Sequence, residues 1–342
     1  NKCILKIIHN NSEKNQDRSL RVRNKTTYSP FNLQKNVTFV FNCLPNFSSM
    51  QIQHLQHKHI DFKKWDDTIL SSANHLGYAY SWYLNIVSPG WEALVTDDYE
   101  FVMPLPVKRK YKIPYLVQPV LTQQLGIFSK EEINDEVIQL FIKNIPYYSY
   151  ELNMNERNFN TEVTKLPNYV LKLDNPYENI QQKYSKNTVR NIEKALKNNL
   201  RVVDEIGIEE FIHLFLQVNP QAAALVKSTY KPILTTGAKN KMITISGAYN
   251  IKNELIAGIC HFFAGKRIVC LLPVSNAEAK KTSAMFLLID SLIRTFATTD
   301  KIIDFEGSKI EGIARFYKGF GAIDQPYYLL KKFRPDFLVG KI

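Results

Sequence analysis

Between Gly258 and Tyr328 the spacing of the apolar residues switches in an order that leaves few folds open to this chain. Ile259–Ala264 and Arg267–Val274 read as a pair of strands. Thr282–Ala297 follows as a helix, because Met285, Leu288, Ile289, Leu292, Ile293 and Phe296 fall on one side of a turn of about 3.6 residues. Thr282 or Ser283 is placed to cap its start. Lys301–Phe305 is then a strand, Glu311–Lys318 a helix, and a further strand begins at Tyr327. Hairpin, helix, strand, helix, strand predicts an α/β (α+β) fold: a mixed, mostly antiparallel sheet flanked by helices.

The words inside this stretch carry a resemblance. Asp304-Phe305-Glu306-Gly307-Ser308, followed by Gly312-Ile313-Ala314-Arg315-Phe316-Tyr317-Lys318-Gly319-Phe320-Gly321-Ala322, resembles the Fem-type peptidoglycan aminoacyltransferases of the GNAT (general N-acetyltransferase) superfamily. That family has an Asp-Phe-Gly-Gly-like strand end before a Phe-Lys-x-x-Phe-Gly helix end, and two GNAT domains in tandem. This chain departs at Tyr317, where the family has Lys; Lys318 comes one step later, about 100° further round the helix. Glu306 replaces a glycine of the family phrase.

Upstream, the same order of elements is read a second time. Asp61–Asn74 and Tyr80–Val87 are helices; Trp91–Thr96, Tyr99–Val107 and Tyr115–Gln124 are strands, with a basic turn at Lys108–Lys112. Glu131–Asn144 is a helix and Tyr147–Asn153 a strand. A repeated order is what tandem domains produce, so residues 59–165 are assigned to an N-terminal GNAT-like domain and 166–342 to a C-terminal one. Tyr78–Leu84, Met103-Pro104-Leu105-Pro106 and Gln118-Pro119 with Gln123-Gln124-Leu125-Gly126 look like the N-terminal half of GNAT and Fem-like proteins. From this phrase Tyr80 and Trp82 are candidate binding residues, with hydrophobic packing as the alternative. Adjacent amides at a strand end point to opposite faces, so one of Gln123 and Gln124 is expected to face the cleft.

Composition removes some classes. No run approaches the roughly 18 apolar residues of a membrane span. The cysteines, Cys3, Cys43, Cys260 and Cys270, form no CxxC pair, which fits a reducing, cytoplasmic compartment and predicts no metal site. The net charge of +12 is concentrated in residues 1–58, which carry nine Lys/Arg against two Asp/Glu. These residues are read as a flexible basic extension, and His54, His57 and His59 around its end as a solvated stretch.

A second cationic feature lies at the junction of the halves. After a strand at Asn168–Leu173, Tyr177–Asn199 contains a helix on which Lys186, Arg190, Lys194 and Lys197 share one side, while Val189, Ile192, Ala195 and Leu196 take the other. The stripe is either a solvated face or a seat for a phosphate-rich donor or acceptor, tRNA or a nucleotide-linked sugar. A basic helix at this place also matches the Fem-type resemblance.

Amide formation needs a neutral amine, a donor carbonyl held over N–H groups and a route for protons. In the GNAT fold the cleft opens where two parallel strands splay; here that place is expected at Leu271-Leu272-Pro273-Val274 opposite Asp304-Phe305. Acetyl-CoA users of this fold carry a glycine-rich loop that cradles pyrophosphate. This chain has Asn276–Ala284, without glycine, in its place; Lys280, Lys281 and Ser283 remain available to a phosphate. The resemblance therefore implies aminoacyl-tRNA as donor, with acyl-CoA as the alternative and no tightly bound cofactor. Glu306 is the candidate base, Tyr317 the candidate acid, Lys318 a charge stabiliser and His261 a further candidate, the last more often a buried core histidine. Phe320 completes the binding candidates. An acyltransferase acting on an amine-bearing peptide, peptidoglycan precursor or small molecule is the leading reading; a silent binding module and nucleic-acid binding through the basic extension compete with it.

Overall fold

A computed structural model describes residues 50–159, 163–307 and 310–332 of the chain. The first described strand, β1 (Ile52–Leu55), pairs antiparallel with β2 (Glu92–Thr96), and β2 pairs with β3 (Val102–Leu105). Residues 52–58 are therefore ordered structure rather than extension: His54 Nε2 lies 2.6 Å from the buried Glu92 carboxylate, and the His57 ring packs on Trp91. An apolar strand with a partner ladder gains hydrogen bonds that a solvated tail lacks. Residues 1–49, where the rest of the expected extension falls, lie outside the described residues.

Between β1 and β2 run helices α1 (Phe62–Ser71) and α2 (Ser81–Val87). Asp61 starts α1 by accepting from the Lys63 and Lys64 N–H groups at 3.1 Å, a cap worth about 1 kcal/mol. Trp65 and Ile69 are fully buried beneath it. After β3, Pro106 interrupts the ladder, and β4 (Val107–Lys110) and β5 (Ile113–Val117) form a hairpin. The expected basic turn at 108–112 is thus mostly strand, and only Tyr111-Lys112 turns, at φ 52° and 67°. Strand β5 ends at Val117, so Gln118–Gln124 is not the strand expected there; Leu121 within it has φ 53°. Helix α3 (Asp135–Lys143), capped by Asn134, leads to β6 (Tyr150–Met154).

Next come β7 (Thr164–Leu166) and β8 (Tyr169–Lys172), then two helices where one was expected: α4 (Tyr177–Gln181) and α5 (Lys186–Lys197). Ser185 separates them, because its side chain caps α5 through the Thr188 N–H. Strand β9 (Arg201–Val203), α6 (Ile208–Val218), α7 (Ala223–Leu225), a π-helical turn and α8 (Lys231–Lys239) precede the long strands β10 (Ile243–Tyr249), β11 (Leu255–Ala264) and β12 (Arg267–Ser275). The chain closes with α9 (Ala277–Thr282), α10 (Ala284–Phe296), β13 (Ile302–Asp304), α11 (Glu311–Lys318), β14 (Ile323–Asp324) and β15 (Tyr327–Lys332).

The sheets explain why the halves cannot be cut apart at 165/166. One has seven strands in the order β14-β8-β13-β12-β11-β10-β9, and one has five in the order β4-β5-β6-β15-β7. Each contains a single parallel pair, β12 with β13 and β5 with β6. Strand β8, just past that boundary, lies against β13, but strand β15, from the end of the second half, lies against β6 of the first. The second half thus lends its last strand to the sheet of the first, and residues 46–342 make one compact unit. Among the described residues no helix is long and apolar enough to cross a membrane.

Three apolar clusters fill the layers. One joins α1 and α2 to the face of the seven-stranded sheet that carries Cys260, Phe262 and Leu271; a second packs α10 on its other face; a third lies under α3. The turn before α2 comes so close to β11 that a Cβ on Gly77 would lie 2.3 Å from the Phe262 ring. Glycine there lets the first half seat on the second.

Candidate functional site

The parallel pairing of β12 with β13 runs from Arg267–Ile302 to Val269–Asp304 and stops, although β12 continues to Ser275. Beyond that point β12 also slips on β11: Gly258 faces Val274 and Cys260 faces Leu271, leaving Leu272 and Pro273 without partners in the register. Leu272 takes φ 50° at this bulge, and a bulge turns backbone groups out of the ladder. The parallel ladder thus ends, and β12 bulges, at the place where the opening between Leu271–Val274 and Asp304-Phe305 is expected.

Glu306 stands at its edge. Its φ is 58°, in the left-handed region that costs a non-glycine residue about 1 kcal/mol, and it occupies the position where the Fem-like phrase has glycine. Several contacts hold it there. The Glu306 N–H donates to Asp304 Oδ1 at 3.0 Å, and the Gln123 amide donates to the Glu306 carbonyl. The Tyr78 hydroxyl, fully buried, donates to its carboxyl. Gly307 follows with φ 49°, where a Cβ would lie 2.3 Å from the Pro167 carbonyl.

Asp304 is fixed in turn by Arg267, whose Nη1 lies 2.6 Å from Oδ2, while Nη2 lies 2.6 Å from Glu156 in the first half. All of this charge is nearly or fully removed from water, so removing one partner leaves another uncompensated, at a cost of about 3–5 kcal/mol.

Burial pushes the Glu306 pKa up to about 8; the hydrogen bond from Tyr78 pulls it down, and the Asp304 charge adds to the rise. A carboxyl in that range exchanges a proton near neutrality. Its charge is felt by Tyr83, Tyr317, Tyr327, Cys260 and Cys270, which burial first of all holds in their neutral forms. Tyr317 stacks on Phe305 at 4.6 Å, and its hydroxyl has no hydrogen-bond partner among the described residues.

The structure thus gathers Glu306, Tyr317 and Gln123. Gln124 joins only through Gln123, donating to its side-chain oxygen at 2.7 Å, so the two amides act as a pair instead of facing apart. Tyr78 is the residue that sequence reading did not single out. It sits in a phrase that was noted, but nothing in its spacing tells that it reaches a residue 228 positions away. Trp82 packs edge-on against Phe262 and Tyr83 beneath the cleft, whereas Tyr80 lies against His75.

The other candidates fall elsewhere. His261 lies on the opposite face of the sheet from Phe262, its Nε2 2.7 Å from Ser246 Oγ, and burial lowers its pKa to about 4. Burial holds this histidine neutral, and it lines a cavity with Thr244, Ser246 and Phe263. Lys318 is exposed and lies 5.2 Å over the Tyr169 ring. Phe320 is fully buried against Tyr184 and Phe316.

Asn276 caps α9, on which Lys280 and Lys281 are exposed. Neither Thr282 nor Ser283 caps α10 through its side chain: Thr282 donates to the Glu278 carbonyl, and Ser283, at φ 66°, donates to Asn191 on α5 at 2.8 Å. Lys186, Arg190, Lys194 and Lys197 are exposed on α5. The buried side of α5 is Thr188, Ile192 and Ala195; Val189 and Leu196, expected to pack, are 37% and 56% exposed. Ser308 lies outside the described residues.

No family profile matches the sequence, and none of the curated proteins does. Solved structures do match in shape. The crystal structure of FemX superimposes with a TM-score of 0.58 at 12% identity, over 82% of this chain and 97% of that one. A domain described as the C-terminal part of a lysylphosphatidylglycerol synthetase from Agrobacterium fabrum gives 0.53 at 10% identity, over 81% and 93%. A protein of unknown function from Bacteroides thetaiotaomicron gives 0.50 at 10%, over 80% and 98%. The single parallel pair in each large sheet, the crossing of β15 into the sheet of the first half and these superpositions agree: the chain has the tandem, Fem-like GNAT-type fold.

Proposed function

We propose that the chain is an acyltransferase that forms an amide by direct attack of an acceptor amine on an activated acyl donor. The observation that carries this reading is Glu306: a carboxyl with a pKa of about 8, under Tyr78, at the mouth of the opening between β12 and β13. Glu306 takes a proton from the attacking ammonium or amine. In this reading the backbone groups freed from the ladder at Leu272 meet the carbonyl oxygen as it gains charge. Tyr317 is neutral and faces the same charges, so it donates to the leaving group. Gln123 holds the Glu306 backbone and thereby ties the first half to the reacting end of the second.

The donor in this reading is aminoacyl-tRNA. The stretch that forms the short helix α9 and the turn after it, 276–284, has no glycine for a pyrophosphate loop, and α5 offers an exposed row of four cations. An acyl-CoA, met by Lys280 and Lys281, is the alternative, and N-acetyltransfer would be its form. Both donors are made in the cytoplasm, where the free thiols of Cys260 and Cys270 would stay reduced. The acceptor is an amine-bearing peptide, peptidoglycan precursor or small molecule.

Thermal shift of the full chain tests the assignment, setting acetyl-CoA and longer acyl-CoAs against charged and uncharged tRNA. Stabilisation by charged tRNA, lost in Lys186→Glu, Arg190→Glu, Lys194→Glu, is the expected result. A response to acyl-CoA alone moves the donor to CoA, and silence toward every donor supports a binding protein.

A further inference from the structure

One rim of the five-stranded sheet is unlike the rest of the surface. It is built where β4 turns into β5 and where β6 begins, because the Leu116 N–H donates to the Ser149 carbonyl at 3.1 Å. Tyr111, Ile113 and Tyr148 stand on this rim 78%, 47% and 73% exposed. The hairpin that carries the first two makes its turn with Tyr111 and Lys112 at positive φ, a turn that ordinarily takes Asn-Gly. A bulky aromatic and a lysine held in that conformation point to a use outside the fold.

Charge surrounds these side chains. Lys108, Lys110 and Lys112 lie on the hairpin and Lys332 at the end of β15, which pairs with Tyr150 at the start of β6. Among the described residues none of these four lysines is paired with a carboxylate, whereas Arg109 leans toward Glu92 at 3.6 Å.

We propose that this rim docks the protein on an anionic phospholipid bilayer. Exposed aromatics suit the headgroup layer, an aliphatic side chain enters the acyl boundary, and unpaired lysines meet the negative surface potential. Ile113 decides against nucleic acid, because it offers nothing to a phosphate or a base edge. Strand β15 runs from Tyr327, beside Glu306, to Lys332 on the rim, about 17 Å, so docking keeps the cleft in water. The proposal does not depend on the chemistry of the cleft.

Flotation of the full chain with vesicles tests it, phosphatidylglycerol mixed with phosphatidylcholine against phosphatidylcholine alone, and poly(U) in a parallel titration. Residues 1–49 are common to every variant and cancel. Lys108→Gln, Lys110→Gln, Lys112→Gln together should weaken binding to the anionic vesicles about a hundredfold, at about fivefold per lysine. Tyr111→Trp should show a blue-shifted emission only with those vesicles. Equal binding by the triple variant, an unmoved emission, or a loss confined to poly(U) would each overturn the proposal, the last in favour of nucleic acid.

Discussion

The end of β13 and the middle of β11 each hold an ionisable side chain away from water, and they keep it in opposite relation to its proton. At the strand end Glu306 is driven toward its protonated form, with a pKa near 8; in mid-strand His261 is driven toward its unprotonated form, with a pKa near 4. Burial is the leading cause in both. What differs is what surrounds them. Glu306 stands where the pairing of β12 with β13 ends, is strained at φ 58° and is met by Tyr78, Gln123 and the Asp304 carboxylate. His261 faces Ser246 under α10 and lines a cavity with Thr244, Phe263 and Leu288. A perturbed group becomes a candidate for chemistry through the partners that hold it, not because it is perturbed.

The largest effect that would break this contrast is on turnover. Glu306→Gln keeps the shape and removes the proton acceptor, so the rate with a productive donor should fall about a hundredfold to ten-thousandfold. His261→Gln should leave the rate within about threefold, since no reacting atom touches it. Comparable losses in the two variants would mean that the face of the sheet does not matter and that the cleft has been misplaced.

Stability against pH gives the next largest contrast, and here the two groups have opposite signs. Glu306 binds more proton folded than unfolded between about pH 4.5 and 8, so it lowers stability as pH rises through that window, by roughly 3–5 kcal/mol in full. His261 binds less proton folded than unfolded between about pH 4 and 6.5, so its contribution is lost as pH falls through that window. Urea denaturation across pH 4 to 9 should therefore show Glu306→Gln gaining stability over the parent toward pH 8. His261→Phe should lose the parent's decline toward pH 4. Parallel curves for the parent and both variants would remove the basis for treating either group as buried.

Sequence reading reached the second half well and the first half poorly, for a physical reason. Helix Glu311–Lys318 has the expected bounds, and the expected strands Ile259–Ala264 and Arg267–Val274 fall within β11 and β12, because each buries a regular face that its own periodicity records. The opening at Leu272 could also be placed, since Pro273 breaks a ladder visibly. Gln118–Gln124 was misread as strand because its apolar residues suit a strand, while its conformation is set by distant partners: Gln118 accepts from the Asn153 N–H, and the Asn153 side chain donates to Gln123. The crossing of β15 to the sheet of the first half leaves no local trace either. Neither does the reach of Tyr78 to Glu306.

The smallest effect sharpens the contrast most, because it separates the two causes acting on Glu306. Burial raises its pKa and the Tyr78 hydroxyl lowers it, by bonding to the ionised form. Tyr78→Phe keeps the ring against Tyr83 and Phe262 and removes only the donor. The Glu306 pKa should then rise by about one unit, an upward displacement of the acid limb of the rate profile with little change in the maximal rate. In the parent at pH 7 the donor would hold a larger share of Glu306 ionised than burial alone allows. If the limb stays in place, Tyr78 serves packing only, and the proton chemistry of the cleft rests on burial and Asp304 alone.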